Sequence, residues 1–455
     1  MLNRRSFLTA TLGATMAAGL APLAFGGPKA AFSFRAGAGK AEITFSAMAW
    51  PVDGFSSQHD PLAIRVLLLE FSGIRYAIVV VELTSLSEEI IGDMKTMIAQ
   101  TAGVAADNTL ICASHTFSAP HVFPTAHLPP DTDKAQNQAL HHHLNAALAN
   151  ALSRALRNLQ PARIGYRSGV SRVNINRDRQ SEHGWWLGAD DNGFADPFLG
   201  TIRIDTRQGK PLAALFNYAV QSSVTENSQS AAGGKAISAD LAGATSRFVE
   251  EQMGDGMVAL FLVGAAGDQA PLFQAMQTVV NTDGSVSLQS NNIDPYALLN
   301  LLAERLGYDV VQLLNRTATA KPHQWHLTRQ TVTVPAVVFS PQNAARMPVK
   351  IFRFQPDGAI DVPITIMRLG DIVWIGLQPE LSAITGAIIR QRSPFPATII
   401  STMVEGSVKY MPDARSYDRL TYEARSSPFA QGAAEKVTDE ILQTLRQLRA
   451  QGKGE

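Results

Sequence analysis

The stretch Asn108-Thr-Leu-Ile-Cys-Ala-Ser-His-Thr-Phe-Ser-Ala-Pro120 changes within a few residues from an apolar run to a polar loop. Its first half has the composition of a short buried strand. Its second half, the SHTFSAP of residues 114–120, opens a loop rich in Pro and His. In α/β proteins, ligands gather at the carboxyl ends of strands, where loops direct polar groups into a crevice. His115 is therefore a candidate metal ligand or proton carrier.

Apolar strand-like runs alternate with helical periods along the rest of the chain. Residues 62–71 and 76–83 are continuous β-branched runs on either side of a tight turn, and they predict neighbouring buried strands. Ser87 predicts the cap of a helix over residues 88–102. A Leu-spaced helix over about residues 432–448 closes the chain. The alternation predicts an α/β fold with a mixed central β-sheet and helices on its faces.

Two polar segments interrupt this alternation and are expected to be loops. The first contains Asn174-Ile-Asn-Arg-Asp178, and the second covers residues 274–292. The sequence shows no internal repeat and no linker that would divide residues 28–455, so a single large domain is expected.

The bulk composition excludes several classes of protein. Lys plus Arg and Asp plus Glu each number 39, so no basic field favours nucleic acid, and no nucleic-acid partner is expected. The single cysteine, Cys112, excludes an internal disulfide framework and a zinc site built on cysteines.

The first 27 residues predict a targeting segment rather than part of the fold. Asn3-Arg4-Arg5-Ser6-Phe7-Leu8 is a twin-arginine pattern, and an Ala/Gly-rich run with small residues at its end follows it. We expect export by the twin-arginine route, to the periplasm or out of the cell. No other segment has the roughly 20 uninterrupted apolar residues of a membrane span.

Polar side chains stand just beyond five of the predicted strands. They are His115, Gln221, Asp268, Glu380 and Tyr410, each with a Gly, Pro or Ser nearby. Because the ends of several strands can converge on one crevice, this set of residues predicts a functional site there.

Several motifs resemble, in order and spacing, those of the neutral/alkaline ceramidases and their bacterial relatives. They are SHTFSAP, Asn176-Arg177, Ile237-Ser-Ala-Asp240, Gly264-Ala-Ala-Gly-Asp-Gln-Ala-Pro271, Pro379-Glu380, and the Tyr410 loop with Tyr417 and Tyr422-Glu423. The resemblance covers about residues 38–448 and implies the ceramidase catalytic-domain fold. It implies no immunoglobulin-like domain after the closing helix, although full-length ceramidases have one.

The resemblance also implies a chemistry, the hydrolysis of an N-acyl amide such as ceramide to a sphingoid base and a fatty acid. One zinc ion would polarise the amide carbonyl and lower the pKa of its bound water to about 7. His115, Glu380 and Tyr410 match zinc ligands, and the Tyr410 hydroxyl would also stabilise the oxyanion. Arg177 matches a substrate-pocket residue, and Asp268 matches a catalytic Gly-Asp motif.

The chain departs from the family pattern at three positions. Gln221 stands where the second zinc His is expected, and an amide oxygen is a weaker zinc ligand than imidazole. Ala270 replaces a serine, and Phe117 replaces a histidine two residues after the first ligand.

Three hypotheses follow from these departures. In the first, the chain is a zinc amidohydrolase of lipid metabolism in which His59, His121 or His127 supplies the missing ligand. In the second, it is a degenerate relative that only binds a lipid or another ligand. In the third, Glu380, Gln221 and Asp240 hold Mg²⁺ or Ca²⁺. The substrate would be a lipid amide or another small molecule, with an encounter at a membrane surface left open. Phe117, Val122, Phe123 and Pro124 could line an apolar slot for it.

Overall fold

The structure is a computed structural model that describes residues 33–45, 50–230, 233–254, 256–339 and 346–451. The predicted twin-arginine segment lies outside these ranges. Among the described residues, none of the helices combines the length and the apolar character needed to cross a membrane.

The strands are β1 (Phe34–Glu42), β2 (Phe55–Gln58), β3 (Ala63–Phe71), β4 (Ile74–Val81), β5 (Thr109–Ala113), β6 (Gln160–Val170), β7 (Asn174–Ser181), β8 (Gly184–Asp190), β9 (Phe198–Thr206), β10 (Pro211–Tyr218), β11 (Lys235–Ile237), β12 (Val258–Val263), β13 (Gln269–Pro271), β14 (Met276–Val280), β15 (Val286–Ser290), β16 (Trp325–Val337), β17 (Pro356–Leu369), β18 (Ile372–Leu377), β19 (Glu380–Leu381), β20 (Ala397–Ser401) and β21 (Tyr410–Met411). The helices are α1 (Glu88–Ala102), α2 (Lys134–Arg157), α3 (Asp240–Met253), α4 (Pro295–Asn315), α5 (Ala383–Arg392), α6 (Ala414–Arg419), α7 (Tyr422–Arg425) and α8 (Ala433–Gln451), with a 3₁₀ turn at Ala106–Asn108.

An eight-stranded sheet, in the order β12-β10-β9-β6-β1-β3-β4-β5, forms the centre of the domain. It is mixed, because β10–β12 and β4–β5 pair in parallel whereas β1–β3 and β3–β4 are antiparallel. The predicted α/β class with a mixed central sheet is confirmed. The helix predicted from Ser87 is confirmed as well, since the Ser87 hydroxyl accepts a hydrogen bond from the Ile90 N–H at the start of α1.

Strand β3 shows why the centre of the domain has several layers. Ile64 and Val66 belong to the core shared with α1 and α2, whereas Leu67 and Leu69 pack in a second core with residues of β17, β18 and β20. A four-stranded sheet, β16-β17-β18-β20, therefore covers the face of the central sheet that the helices leave. Helix α8 covers the outer face of this second sheet.

Two segments predicted to be loops are strands, and those predictions are wrong. Residues 174–181 form β7, which pairs with β8 and β13. The segment 274–292 contains the hairpin β14–β15. The sequence of β7 shows no apolar alternation, because several of its side chains are polar and form hydrogen bonds in the site described below.

The glycines of β1 permit close packing rather than ligand binding. A Cβ atom at Gly39 would lie 2.1 Å from the carbonyl oxygen of Ala151 in α2, and one at Gly37 would lie 2.2 Å from that of Ala155. Helix α2 can therefore lie directly on the strand.

A buried ion network joins β3 to α3. The Arg65 guanidinium donates to Glu82 and, at 2.8 Å, to Glu250, which also accepts from Lys40 at 2.6 Å. Arg65 is 2% exposed, so these carboxylates provide its only compensation for lost water.

Candidate active site

The loops after β5 and β10 meet and fix the position of the site. The Phe117 N–H donates to the Ser222 carbonyl at 3.0 Å, and the Ser222 N–H donates to the His115 carbonyl at 3.3 Å. Beyond β20, Val404 pairs with Cys112 of β5. The ends of β5, β10 and β20, three of the five strand ends in the prediction, therefore lie next to one another.

His115 is buried and held in an unusual backbone conformation, with φ of 59°. Its Nδ1–H donates to the Thr84 carbonyl at 2.7 Å. Because Nδ1 carries the proton, a neutral ring presents a bare Nε2, and this atom lies 3.0 Å from Glu380 Oε2. Two acceptors at that distance require a proton or a cation between them.

The electrostatics of this pair favour a proton. Burial lowers the pKa of His115, but the neighbouring Glu380 carboxylate outweighs it, and the pKa is raised above its usual value. Burial raises the pKa of Glu380, but His115, Arg177 and the Gln221 amide outweigh it and lower the pKa. Imidazolium and carboxylate therefore stabilise each other.

Gln221 bridges the two ends of the cluster. Its Nε2 donates to Glu380 Oε2 at 2.7 Å, and its Oε1 accepts from Arg177 Nη1 at 2.6 Å. These two partners fix the orientation of the Gln221 amide, because a carboxylate only accepts hydrogen bonds and a guanidinium only donates them.

The far side of Arg177 contacts Glu423 of α7. Arg177 Nε donates to Glu423 Oε1 at 2.8 Å, and Nη2 lies 2.7 Å from the same oxygen. Burial raises the pKa of Asp178 well above its usual value, and the Glu423 carboxylate raises it further. Asp178 is therefore harder to ionise than a free carboxyl group, because its ionisation would place a second negative charge beside Glu423.

Aromatic rings surround the guanidinium. The Arg177 Cζ atom lies 5.3 Å from the ring centroid of Tyr410 and 5.9 Å from that of Tyr422. The Tyr422 ring makes an edge contact with Trp186 at 5.4 Å. Burial, followed by the Glu380 charge, raises the pKa of Tyr410, so its hydroxyl stays protonated and can donate.

Asp268 lies behind this cluster rather than in it. Its Oδ1 accepts from the Ala383 N–H of α5 at 2.7 Å, and its main-chain carbonyl accepts from the Arg177 N–H at 3.0 Å. Burial raises the pKa of Asp268 to about 7. The predicted catalytic Asp268 thus contacts the strand and the helix that support the site.

The replacement ligands considered from the sequence lie outside the cluster. His121 pairs with Asp53, His59 stacks on Tyr296, and His127 is exposed in the segment between β5 and α2. Asp240 is occupied by the main-chain N–H groups of Val224, Thr225 and Leu241. Its oxygens therefore close a turn instead of binding Mg²⁺ or Ca²⁺ with Glu380.

Three residues of the site received no role from the sequence. They are Asp178, Trp186 and Glu423. Glu423 belongs to a motif of the family resemblance, and its neighbour Asp178 follows Arg177, but nothing local shows that these two acids, 245 positions apart, lie side by side. Only the tertiary structure brings them together.

The cluster also concentrates unsatisfied polar atoms. Seven buried side-chain nitrogen and oxygen atoms of the described residues lack a partner in hydrogen-bond geometry. Five belong here: His115 Nε2, Arg177 Nη2, Asp178 Oδ1, Trp186 Nε1 and Glu423 Oε2. His115 Nε2 and Arg177 Nη2 nevertheless lie 3.0 and 2.7 Å from carboxylate oxygens of Glu380 and Glu423, which leaves Trp186 Nε1 and the two acid oxygens. Natural proteins rarely bury such groups outside functional sites.

Comparison with known proteins bears on the fold. No protein-family model matches the chain, and no curated protein matches it. Solved structures of ceramidases do match it. A ceramidase complexed with C2 is 16% identical, with a TM-score of 0.68 over 92% of this chain and 76% of that chain. The neutral ceramidase from Pseudomonas aeruginosa is 17% identical, with a TM-score of 0.67 over 92% and 75%. The chain has the neutral ceramidase fold.

The zinc centre implied by the ceramidase resemblance can be tested against the side chains present. His115 suits it, because the Thr84 contact leaves Nε2 as a ligand, and Glu380 lies beside it. Gln221 does not, because its oxygen faces Arg177. Turning the amide over would set its NH₂ against the guanidinium.

Of the ligands that the resemblance implies, His115, Glu380 and Tyr410 remain, and the fourth position is held by the Gln221 amide, which is already engaged at both ends. Across the part of the chain that the structure describes, no three His, Cys, Asp or Glu side chains are grouped to hold a metal ion. The Gln221 bridge therefore does not fit the zinc centre that the resemblance implies.

Proposed function

We propose that the chain is a ceramidase-like amidohydrolase that cleaves the N-acyl amide bond of a lipid in the cluster of His115, Arg177, Glu380 and Tyr410. The observation that carries the proposal is the concentration of unsatisfied buried atoms in this cluster. Trp186 Nε1 is a donor without a partner in hydrogen-bond geometry, and Arg177 Nη2 has a second N–H beyond its contact with Glu423, so a ligand oxygen would supply an acceptor for both.

The roles follow from the contacts. Arg177 Nη2 and the Tyr410 hydroxyl donate to the amide carbonyl oxygen and stabilise the negative charge that it acquires. Glu380 takes the proton of the attacking water. The His115 imidazolium gives a proton to the departing amine. Water oxygen thus adds to the carbonyl carbon, the carbon–nitrogen bond breaks, and an amine and a fatty acid leave.

A cavity of about 300 Å³ supports a lipid substrate. Its walls include Leu86, Val122, Phe123 and Val408, and it reaches Thr84, whose carbonyl accepts from His115. This volume is at the lower end of the range for ligand sites. The four cluster residues themselves line neither this cavity nor the larger clefts of about 450 and 610 Å³.

A second candidate function is binding without turnover, as an exported lipid-binding protein. It is favoured by the Gln221 bridge, because this amide occupies both Arg177 and Glu380 in the resting site. Zinc activation is left out of both candidates, since the donor set does not fit it.

The test uses the mature chain with short-chain ceramides and N-acyl amino acids. Product formation by mass spectrometry, lost in Arg177→Met and Glu380→Gln, is the result expected of the hydrolase. Binding without products, seen as a change in tryptophan fluorescence that Trp186→Phe removes, would replace the hydrolase by the binding protein. Neither products nor binding would reject both candidates.

A further inference from the structure

Gln221, Arg177 and Glu380 form a continuous hydrogen-bonded relay, and all three are less than a tenth exposed. The direction of each bond is fixed: Arg177 donates to the amide oxygen, and the amide nitrogen donates to the carboxylate. The Glu380 carboxylate also receives His115 Nε2. The Gln221 oxygen and the Glu380 oxygen that would face a metal ion thus already accept hydrogen bonds.

The guanidinium of Arg177 is also immobilised from its other side. Glu423 contacts both Nε and Nη2, and the rings of Tyr410 and Tyr422 flank the charge. A divalent cation among His115, Glu380 and Gln221 would stand next to this fixed positive charge in a water-poor interior, where like charges repel strongly.

We infer that Arg177, with Gln221 as its relay, takes the place of a metal ion in this site and excludes divalent cations from it. The carbonyl oxygen of a neutral amide substrate then binds to the Arg177 guanidinium instead of to a metal ion. This inference rests on the proposed function for the identity of the ligand, but the exclusion of metal is independent of it.

Metal binding alone tests the exclusion. Zn²⁺ is titrated by calorimetry and Co²⁺ by visible absorbance into the wild-type chain, Gln221→His, and the double variant Arg177→Met with Gln221→His. Gln289→His, on the exposed strand β15, controls for a new histidine at any surface. We expect no stoichiometric site in the wild type or the control. The double variant should bind one ion at least about 100-fold more tightly than Gln221→His.

Two results would overturn the inference. One is a tightly bound zinc in the wild-type chain. The other is equal affinity of Gln221→His and the double variant, since Arg177 would then exclude nothing. If circular dichroism shows the double variant unfolded, the wild-type titration decides by itself, because one bound zinc contradicts the inference and none supports it.

Hydrolysis after exhaustive chelation separates this inference from the proposed function. Turnover that persists without metal supports both. Turnover restored only by zinc rejects the inference and keeps the hydrolase. No turnover and no metal site rejects the hydrolase and keeps the exclusion of metal.

Discussion

Glu380 and Tyr410 face each other as backbone partners in the two-residue parallel ladder of β19 and β21. The Glu380 N–H donates to the carbonyl of Lys409 at 2.9 Å. Because directly paired residues project to the same face of a ladder, the main chain sets the carboxyl and the phenol side by side. This pairing places the proposed acceptor of the water proton, Glu380, next to the proposed donor to the carbonyl oxygen, Tyr410.

The first prediction concerns Glu380. Glu380→Gln keeps the shape of the side chain but removes the proton acceptor, so we expect amide hydrolysis to fall by about 10²- to 10⁴-fold. The measurement is kcat/KM for a short-chain ceramide, with thermal unfolding to check the fold. The exposed Glu440→Gln should behave as wild type, and undiminished turnover in Glu380→Gln would remove this residue from the mechanism.

The second prediction concerns stability and pH at Asp268. Its folded-state pKa of about 7 lies above its usual value, so the folded chain holds a proton that the unfolded chain has already released. The free energy of unfolding should therefore fall as pH rises from about 4 to 7. Asp268→Asn abolishes this contribution.

We expect the melting temperature of Asp268→Asn, relative to wild type, to be a few degrees more favourable at pH 8 than at pH 5. Differential scanning fluorimetry at the two pH values measures it, with the exposed Asp191→Asn as the control. A difference that is the same at both pH values would show that Asp268 is ionised throughout.

The third prediction concerns the buried ion network. Arg65→Met leaves Glu82 and Glu250 in the interior without their main partner, so we expect a loss of about 3–5 kcal/mol in the free energy of unfolding. Urea denaturation measures it. Arg392→Met breaks an exposed ion pair with Asp439 and should cost less than about 1 kcal/mol. Similar losses in the two variants would contradict the distinction.

The fourth prediction compares two glycines. Gly39→Ala forces a methyl group against the Ala151 carbonyl of α2 and should destabilise the fold by about 1–3 kcal/mol. Gly92→Ala has open space in α1 and should stabilise it by up to about 1 kcal/mol. Chemical denaturation of both variants gives the sign. A stabilising Gly39→Ala would mean that α2 does not lie on β1 as described.

The local patterns of the sequence predicted most of the fold. The β-branched runs predicted β3 and β4, and Ser87 predicted the start of α1. Strand β7 could not be predicted in this way, because Asn174, Asn176 and Arg177 place polar side chains where an apolar alternation is sought. The second sheet was also missed, since buried strands do not reveal whether a helix or another sheet covers them.

The site was predicted as a set of strand ends but not as an arrangement. Polar residues after apolar runs pointed to His115, Gln221 and Glu380. The orientation of the Gln221 amide depends on Arg177, whose own position depends on Glu423, and no local pattern encodes that relation. A substitution of His by Gln therefore indicated a weaker zinc ligand, whereas the tertiary contacts indicate a hydrogen-bonded bridge.

The ion pair between Arg177 and Glu423 joins residues 246 positions apart. At a synthesis rate of about 5–20 residues per second, the arginine waits roughly 12 to 50 s on the ribosome before its partner is made. The guanidinium and the Gln221 amide must remain hydrated for that time, so the site is among the last parts of the nascent chain to form. A chain truncated before α7 would carry nearly all of the central sheet and still have no finished site.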